Sequence, residues 1–493
     1  MKITLIQPPT PSSKGRNKSS FNTLVRPFSL FYLAGYLEKH TSFDIEILDF
    51  ELNKYHDVPV EDVLCSNDSQ IFGITATTYT RFEAVKIAKK IKKLFPESWI
   101  VTGGVHFMHC AKDTLSRVPE IDIVVRGEGE LTLLELAKAI NAGADLETVM
   151  GISYRRNNEI IDNPDQMVFE GLDDIPTYTK FSYDEYPEYL MDYRKEKIPA
   201  ISVVSSRGCP NKCIFCPKGG VRYRLRSPKF VVDEIEYYKK KFKIIEAVNF
   251  LDLTFTASPP HVTKVCHEII NRKLNIKWWC ESRANIPLEL LDLMKEAGCC
   301  QIAFGIESGS PKILEKISKN VPVENIFDVA KKCSDIGINS RVFFTCSHPD
   351  ETKKDVKETL NLMAKLGEIG SNPTFGITMI FPGTEIEKIA YSKNILPEDF
   401  SWYDHYESDL NNKLETLSNI PLFIDKLTPD MLLRIKEEVV TMLIGNRIVN
   451  QKFTDLVKQV FKAIVAGNPS AKHIFNKKLI VRYIMSKLAP NRQ

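Results

Sequence analysis

Cys209, Cys213 and Cys216 stand at C-x3-C-x2-C spacing in the stretch Ser206-Arg207-Gly208-Cys209-Pro210-Asn211-Lys212-Cys213-Ile214-Phe215-Cys216-Pro217. Cysteine thiolates hold iron–sulfur clusters, and a four-iron cluster ordinarily takes four of them. Three ligands leave one iron open to another molecule. Eleven cysteines in 493 residues would give roughly 0.005 such triplets by chance. Isolated cysteines are common in cores, but the interleaved Gly and Pro put these three on one irregular loop. A zinc site is the sharper rival, although no fourth Cys or His follows at zinc-ribbon spacing.

The loop directly follows an apolar strand over 201–204, and from there strands alternate with helices. Further strands are expected over 247–251, 277–280, 301–306, 341–345 and 375–381. Helices are expected over 230–242 and from Pro287 to Gly298, with Pro first and Gly last. Six β/α units predict a partial barrel. In barrels of parallel strands chemistry collects at the carboxyl-end loops, because these share one face. The polar candidates all read as following a strand: the three cysteines, Asp252, Arg283, Glu307, Ser308 and Arg341. Singly, each is as consistent with a surface salt bridge or a cap, as Ser310 before Pro311 illustrates. Their convergence favours a shared site.

An earlier alternation fills the N-terminal third. Strands are expected over 3–6, 44–50, 70–77, 99–102 and 121–125, with helices over 28–39, 83–95 and 129–142. This predicts an α/β, doubly wound, Rossmann-like parallel sheet. Ligands of such sheets lie beyond the carboxyl ends of the strands. Thr75, Thr77, Gly103, Gly104, Gly127 and Glu128 cluster there, and glycine lets a large ligand approach the backbone. The first strand is not followed by G-x-G-x-x-G, which disfavours a nicotinamide cofactor. Asn157-Asn158 reads as a hairpin turn, and an aromatic-rich stretch reaching Tyr193 reads as packing between domains. Trp402, Tyr403, His405 and Tyr406 form an aromatic cluster that lines a pocket or packs. Helices are expected over 429–443, 452–465 and 473–488. The basic end (Lys472, Lys477, Lys478, Arg482, Lys487, Arg492) reads as a solvated face in preference to a membrane-binding one.

The net charge of +3, with 43% hydrophobic and 26% charged residues, is ordinary for a soluble chain and gives no argument for nucleic acid. Eleven cysteines in so long a chain do not form a disulfide framework. The N-terminal apolar run is too short for a signal peptide, and no window reaches the ~18 apolar residues of a membrane span. The expected compartment is the reducing cytoplasm.

The cysteine spacing, with Phe215 just before the last Cys, resembles the signature of the radical S-adenosylmethionine (SAM) enzymes. Phe250-Leu251-Asp252-Leu253-Thr254-Phe255, Trp279-Cys280-Glu281-Ser282-Arg283-Ala284-Asn285, Phe304-Gly305-Ile306-Glu307-Ser308-Gly309-Ser310 and Pro382-Gly383-Thr384 resemble that family's elements after strands two, three, four and six. The fifth-strand loop departs, reading Ser347-His348-Pro349-Asp350-Glu351-Thr352 where the family has G-H-P-G-E-T. The N-terminal alternation, with Gly103-Gly104-Val105-His106 and Val125-Arg126-Gly127-Glu128-Gly129-Glu130, resembles the cobalamin (B12)-binding domain that precedes many radical SAM domains. The D-x-H-x-x-G motif of other cobalamin proteins is absent, its place taken by Gln7-Pro8-Pro9.

The resemblance implies a cobalamin-binding domain over 1–145, a connector over 146–197, a radical SAM core over 198–395 and a mainly helical region over 396–493. It implies Cys209, Cys213 and Cys216 as ligands of a 4Fe-4S cluster. Phe215, Asp252, Arg283, Glu307, Ser308 and Arg341 would surround SAM. Thr75, Thr77, Gly103, Gly104, His106, Gly127 and Glu128 would line the cobalamin site. The implied activity is that of a methyltransferase acting on an unactivated carbon of a small-molecule substrate through a 5′-deoxyadenosyl radical and methylcobalamin. Electrons would come from a donor such as flavodoxin or ferredoxin. Cyclisation or rearrangement without methyl transfer is the alternative, and a cobalamin-responsive binding protein is the non-enzyme one. A methylthiotransferase is disfavoured, because the N-terminal domain has no second cysteine triplet.

Overall fold

The computed structural model describes residues 1–11, 27–55, 58–65, 67–176, 180, 191–193, 196–217, 222–404, 406, 408–414, 416 and 419–449. His405 and the expected helices over 452–465 and 473–488, with their basic residues, lie outside the described residues.

The N-terminal strands β1 (Lys2–Gln7), β2 (Asp44–Asp49), β3 (Ile71–Thr75), β4 (Trp99–Gly103) and β5 (Ile123–Val125) are short apolar runs. Ile3, Ile6, Ile71, Phe72 and Ile123 are buried, as expected where helices cover both faces of a parallel sheet. All five pair in parallel, in the order β2-β1-β3-β4-β5. Strand order reverses between β1 and β3, and such switch points are where α/β sheets take ligands. β6 (Ile152–Arg156) and β7 (Glu159–Asp162) add an antiparallel hairpin beyond β5. Asn157 and Asn158 turn it at φ 50° and 65°, the doubly left-handed turn that asparagine tolerates. The first sheet therefore runs on into the stretch read as a connector.

β8 (Met191–Tyr193) and β9 (Glu196–Ile198) form a short antiparallel pair. β10 (Ala200–Val203) then begins the second sheet. β11 (Ser206–Arg207) and β12 (Arg224–Leu225) pair antiparallel on either side of the cysteine loop. The second sheet continues with β13 (Ala247–Phe250), β14 (Lys277–Ser282), β15 (Cys299–Glu307), β16 (Asn339–Cys346) and β17 (Asn372–Ile377). Its six strands are parallel and follow chain order, the topology of a partial barrel. Ile302, Phe304 and Ile306 of β15, with Val342, Phe344 and Cys346 of β16, enter the core beneath the helices. The intervening Ala303, Gly305, Glu307, Arg341, Phe343 and Thr345 take the opposite face, as a period of two requires.

Helix Pro429–Val449 packs Leu432, Ile435 and Val439 onto the barrel core. Trp402 is buried among Ile380, Ile386, Leu396 and Phe423, and the Tyr403 hydroxyl lies 2.7 Å from Thr114 Oγ1. These two aromatics pack the C-terminal region onto the rest of the chain. Among the described residues no helix is long and apolar enough to cross a membrane.

Candidate functional site

The cysteine loop leaves the barrel at Ser205-Ser206. Asp252, just after β13, accepts the Ser205 N–H at 3.0 Å, the Ser205 hydroxyl at 2.8 Å and the Ser206 hydroxyl. Asp252 is buried, and burial pushes its carboxyl up. Both of its oxygens bond the base of the loop.

Within the loop, Cys216 N–H bonds Cys213 O at 3.1 Å, Ile214 N–H bonds Ile317 O at 3.2 Å, and Ile214 O accepts Ile386 N–H at 3.1 Å. Arg283 Nη1 lies 3.3 Å from Cys213 Sγ, Asn211 Nδ2 3.4 Å from Cys209 Sγ, and Thr254 Oγ1 3.7 Å from Cys209 Sγ. A guanidinium and an amide N–H thus stand at two of the three sulfurs. None of the eleven cysteines is in a disulfide, and the three of the loop are half-buried. Cys266, Cys280, Cys299, Cys333 and Cys346 instead have thiols pushed up, above all by burial. Cys209 and Cys213 thus combine accessibility with polar side chains at their sulfurs. Among the described residues no three His, Cys, Asp or Glu side chains form a group suited to one metal ion. A four-iron cluster asks for one thiolate per iron, which a spread loop supplies.

Around this loop the barrel mouth gathers a polar set. Glu307 ends β15 at φ +71°. Its Oε1 takes Lys319 Nζ at 3.1 Å and its Oε2 takes the Thr345 hydroxyl at 3.4 Å. Gly305 makes room, since a Cβ there would stand 2.6 Å from Glu307 Oε1 and 3.0 Å from Lys319 Nζ. Lys319 Nζ also lies 5.9 Å from the centre of the Phe215 ring. His348 lies between Thr345 Oγ1 (3.0 Å) and Thr378 Oγ1 (3.2 Å). Burial lowers its imidazole to about 4, and its ring centre is 6.4 Å from that of Phe215. Lys319 and His348 were missed as site residues. Lys319 left one faint signal, a Ser-Lys-Asn turn in which Ser318 and Asn320 take φ of 56° and 47°.

Of the other residues expected around SAM, one is held in a turn and one lies low on its strand. Ser308 is fully buried, 3.0 Å from Thr359 Oγ1, and accepts the Ser310 N–H at 3.1 Å, so it fastens the turn after β15 to helix Lys353–Glu368. Arg341 is exposed and lies near the start of β16 rather than after it. A strand rises about 3.3 Å per residue, which sets Arg341 well below the mouth. It aligns there with Ala303 and, one strand further, with Glu281.

On the N-terminal sheet, Thr75, Gly103, Gly104 and Gly127 stand together at the carboxyl ends of β3, β4 and β5, with Thr77 exposed just beyond. Gly104, at φ +88°, is required by its surroundings, because a Cβ would fall 2.5 Å from Thr75 Oγ1. Gly127 opens onto free space. A bare backbone over three adjacent strands fits a large flat ligand. The other two residues expected there, His106 and Glu128, make contacts within the protein. His106 is fully buried, with Nδ1 3.3 Å from Thr78 Oγ1 and its ring against Trp402 and Tyr403. Burial and the Arg81 charge hold it well below the ordinary histidine range. Glu128 turns to the cysteine loop, where it binds Arg224 through both oxygens and lies 3.7 Å from Arg207. An open cleft of about 410 Å³ runs between the two halves, lined among others by His109, Lys112, Asp113, Arg126, Glu387 and Tyr391.

The radical SAM superfamily matches residues 203–363 and the B12 binding domain matches residues 18–137. An uncharacterised methyltransferase of Pyrococcus horikoshii is 34% identical over 401 residues, 80% of this chain and 84% of that one. An anaerobic magnesium-protoporphyrin IX monomethyl ester cyclase of Rubrivivax gelatinosus is 30% identical over 349 residues, 68% of this chain and 61% of that one. The solved structure of the cobalamin-dependent S-adenosylmethionine radical enzyme OxsB, with aqua-cobalamin and S-adenosylmethionine bound, shares the fold at a TM-score of 0.70 and 18% identity, over 99% of this chain and 74% of that one. The chain belongs to the cobalamin-binding radical SAM enzymes, whose cofactors are a 4Fe-4S cluster, SAM and cobalamin.

Proposed function

We propose that the protein is a methyltransferase acting on an unactivated carbon of a small molecule. One observation carries the reading: the loop after β5 of the N-terminal sheet contacts the strands flanking the cysteine loop, through Glu128 with Arg224 and Glu130 with Arg207. The cobalamin-binding end of one sheet and the cluster-binding end of the other therefore share one space. The relative named as a methyltransferase, matched over 84% of its length, supports the same reading.

Cys209, Cys213 and Cys216 hold the cluster, and Arg283 and Asn211 donate to two of the sulfurs. Glu307 and Lys319 offer opposite charges 3.1 Å apart beside Phe215, a pairing that suits an amino acid's ammonium and carboxylate ends next to an adenine ring. Thr345 and His348 hold the Glu307 carboxylate in place. Thr75, Gly103, Gly104 and Gly127 give cobalamin a backbone floor. When bound, these cofactors supply a carbon-centred radical and a transferable methyl group. A small redox protein of the flavodoxin or ferredoxin kind delivers the electrons.

A second reading keeps both cofactors but forms a ring, as the relatives named cyclases do. Anaerobic reconstitution with methyl-labelled SAM and a low-molecular-mass cell extract separates the two. Methyl transfer yields S-adenosylhomocysteine in step with 5′-deoxyadenosine, and label in a small molecule. 5′-Deoxyadenosine alone, with every small molecule unlabelled, removes the methyltransferase reading.

A further inference from the structure

Three arginines flank the cysteine loop, and each is matched by an acidic side chain from elsewhere. Arg207 on β11 and Arg224 on β12 face each other directly across the antiparallel pair, and like charges so placed repel. The N-terminal domain relieves this. Glu130 takes Arg207 Nη2 at 2.5 Å, while Glu128 takes Arg224 through both oxygens, one at 3.0 Å. The side chains of Arg224 and Glu130 are each only 6% exposed and that of Arg207 18%. At such burial, losing one partner strands the other's charge.

Tyr32, from helix Phe28–His40, extends the contact. Its ring centre lies 5.7 Å from the Arg207 guanidinium carbon and 5.8 Å from that of Arg226. Arg226 Nη1 donates to the Tyr32 hydroxyl at 3.2 Å and to Glu234 at 2.6 Å. On the other side, Ser206 binds the buried Asp252 of the barrel. Neighbouring residues of an extended strand point opposite ways. β11 is thus strapped to the barrel through Ser206 and to the N-terminal domain through Arg207, two residues before Cys209.

We propose that Glu128 and Glu130 clamp the base of the cysteine loop to the N-terminal domain, making Arg207 and Arg224 positioning residues that set the separation of cluster and cobalamin. Without the clamp, the facing arginines repel and the loop loses its second anchor. Order in the loop and docking of the two domains are then one event. This goes beyond the methyl-transfer reading and holds equally for ring formation; it rests only on both cofactors being loaded.

The test reads the dipolar coupling between the reduced cluster and cob(II)alamin by pulsed EPR on the holoenzyme, with iron and cobalamin content measured on the same samples. The wild type is expected to give one narrow distance distribution. Arg207→Gln and Glu130→Gln should each broaden it at least about twofold, and Arg207→Lys, which keeps the charge, should restore most of the narrowing. Glutamine variants that keep cobalamin but lose iron, where Arg207→Lys keeps both, support the clamp equally. Wild-type widths in both glutamine variants at full loading would overturn it. So would loss of both cofactors together, or a lysine variant no better than glutamine, since either assigns these residues to general stability. A wild type that binds no cobalamin fails the family assignment, and the cobalamin content reports that separately.

Discussion

Glu351 lies directly after the β16 turn with none of its surface exposed. Its Oε2 accepts the His348 N–H at 3.0 Å, while Oε1 meets no hydrogen-bond donor. Burial raises the carboxyl to about 7 from a usual 4.5. Because the folded value is the higher one, this group's contribution is whole below pH 4.5 and is lost as pH rises through 7. Glu351→Gln keeps the acceptor for His348 and removes the charge. It should therefore stabilise the protein at pH 8 by on the order of 1–3 kcal/mol and by less at pH 6, read from urea unfolding at both values. An effect of equal size at the two pH values would mean that the carboxyl does not titrate in this window. His348 works in the opposite direction: its value of about 4 lies below the ordinary histidine value, so its contribution is whole above about 6.5 and fades toward 4. The three cysteines and the carboxylate of Glu307 were legible as candidates, because their type dictates the chemistry they can do. The bonds of Asp252 to Ser205 and of Glu128 to Arg224 were not legible, because a carboxylate after a strand looks the same whether it faces a ligand or an N–H and a guanidinium from another segment.

At the scale of elements, the turn Glu307-Ser308-Gly309-Ser310 binds β15 to helix Lys353–Glu368. Gly309 lies so close to that helix that a Cβ would stand 2.7 Å from Glu358 O and 2.8 Å from Thr359 Cα. Both are backbone atoms of a helix interior and cannot swing aside. The Gly309 N–H also donates to Thr359 Oγ1 at 2.9 Å. Gly309→Ala should cost about 1–3 kcal/mol by overpacking and lift Glu307 from Lys319. Its SAM affinity should then fall about tenfold or more, measured by the change in the reduced cluster's EPR signal on SAM addition. An alanine variant with wild-type affinity would separate the turn from SAM binding. The strands of both sheets and the helices over 28–39, 83–95, 129–142, 230–242 and 287–298 were legible, because short apolar runs alternate with 3.6-period stretches, whereas helices such as Pro259–Asn271, Val323–Asp335 and Lys353–Glu368 were not singled out. Arg341 was misplaced because β16 begins at Asn339, and alternation within one strand does not say which end meets the loops. The hairpin of β6 and β7 was read correctly from Asn157-Asn158, but its pairing with β5 is a non-local contact on which local pattern is silent.

The whole molecule closes as a ring of three contacts. The N-terminal domain meets the barrel through Glu128 and Glu130, and the barrel meets the C-terminal region through Phe423 N–H to Thr378 O at 2.9 Å and Ile380 N–H to Pro421 O at 2.8 Å. The C-terminal region returns to the N-terminal domain at Arg81. That guanidinium is 1% exposed and donates to the backbone oxygens of Trp402 (2.7 Å), Asn419 (2.6 Å) and Thr78 (2.5 Å). Asp113 adds the Ser401 hydroxyl at 2.7 Å and the Trp402 N–H at 2.9 Å. Burial lowers Arg81 to about 10, so it remains charged at neutral pH while three carbonyls solvate it. Arg81→Met removes that charge but leaves the carbonyls of Trp402 and Asn419 buried without their donor, at a cost of about 1–3 kcal/mol each. The segment they belong to packs Trp402 and Phe423 around Ile214 and Phe215 of the cysteine loop. Loosening it should expose that loop. In Arg81→Met, limited proteolysis over residues 400–425 should quicken about tenfold. The cluster's visible absorbance should bleach several-fold faster in air, while iron and cobalamin content under anaerobic conditions stays at the wild-type level. Faster proteolysis with unchanged bleaching would mean that the C-terminal segment covers the sheet but does not shield the cluster, and that the loop is shut off from oxygen by the N-terminal domain alone.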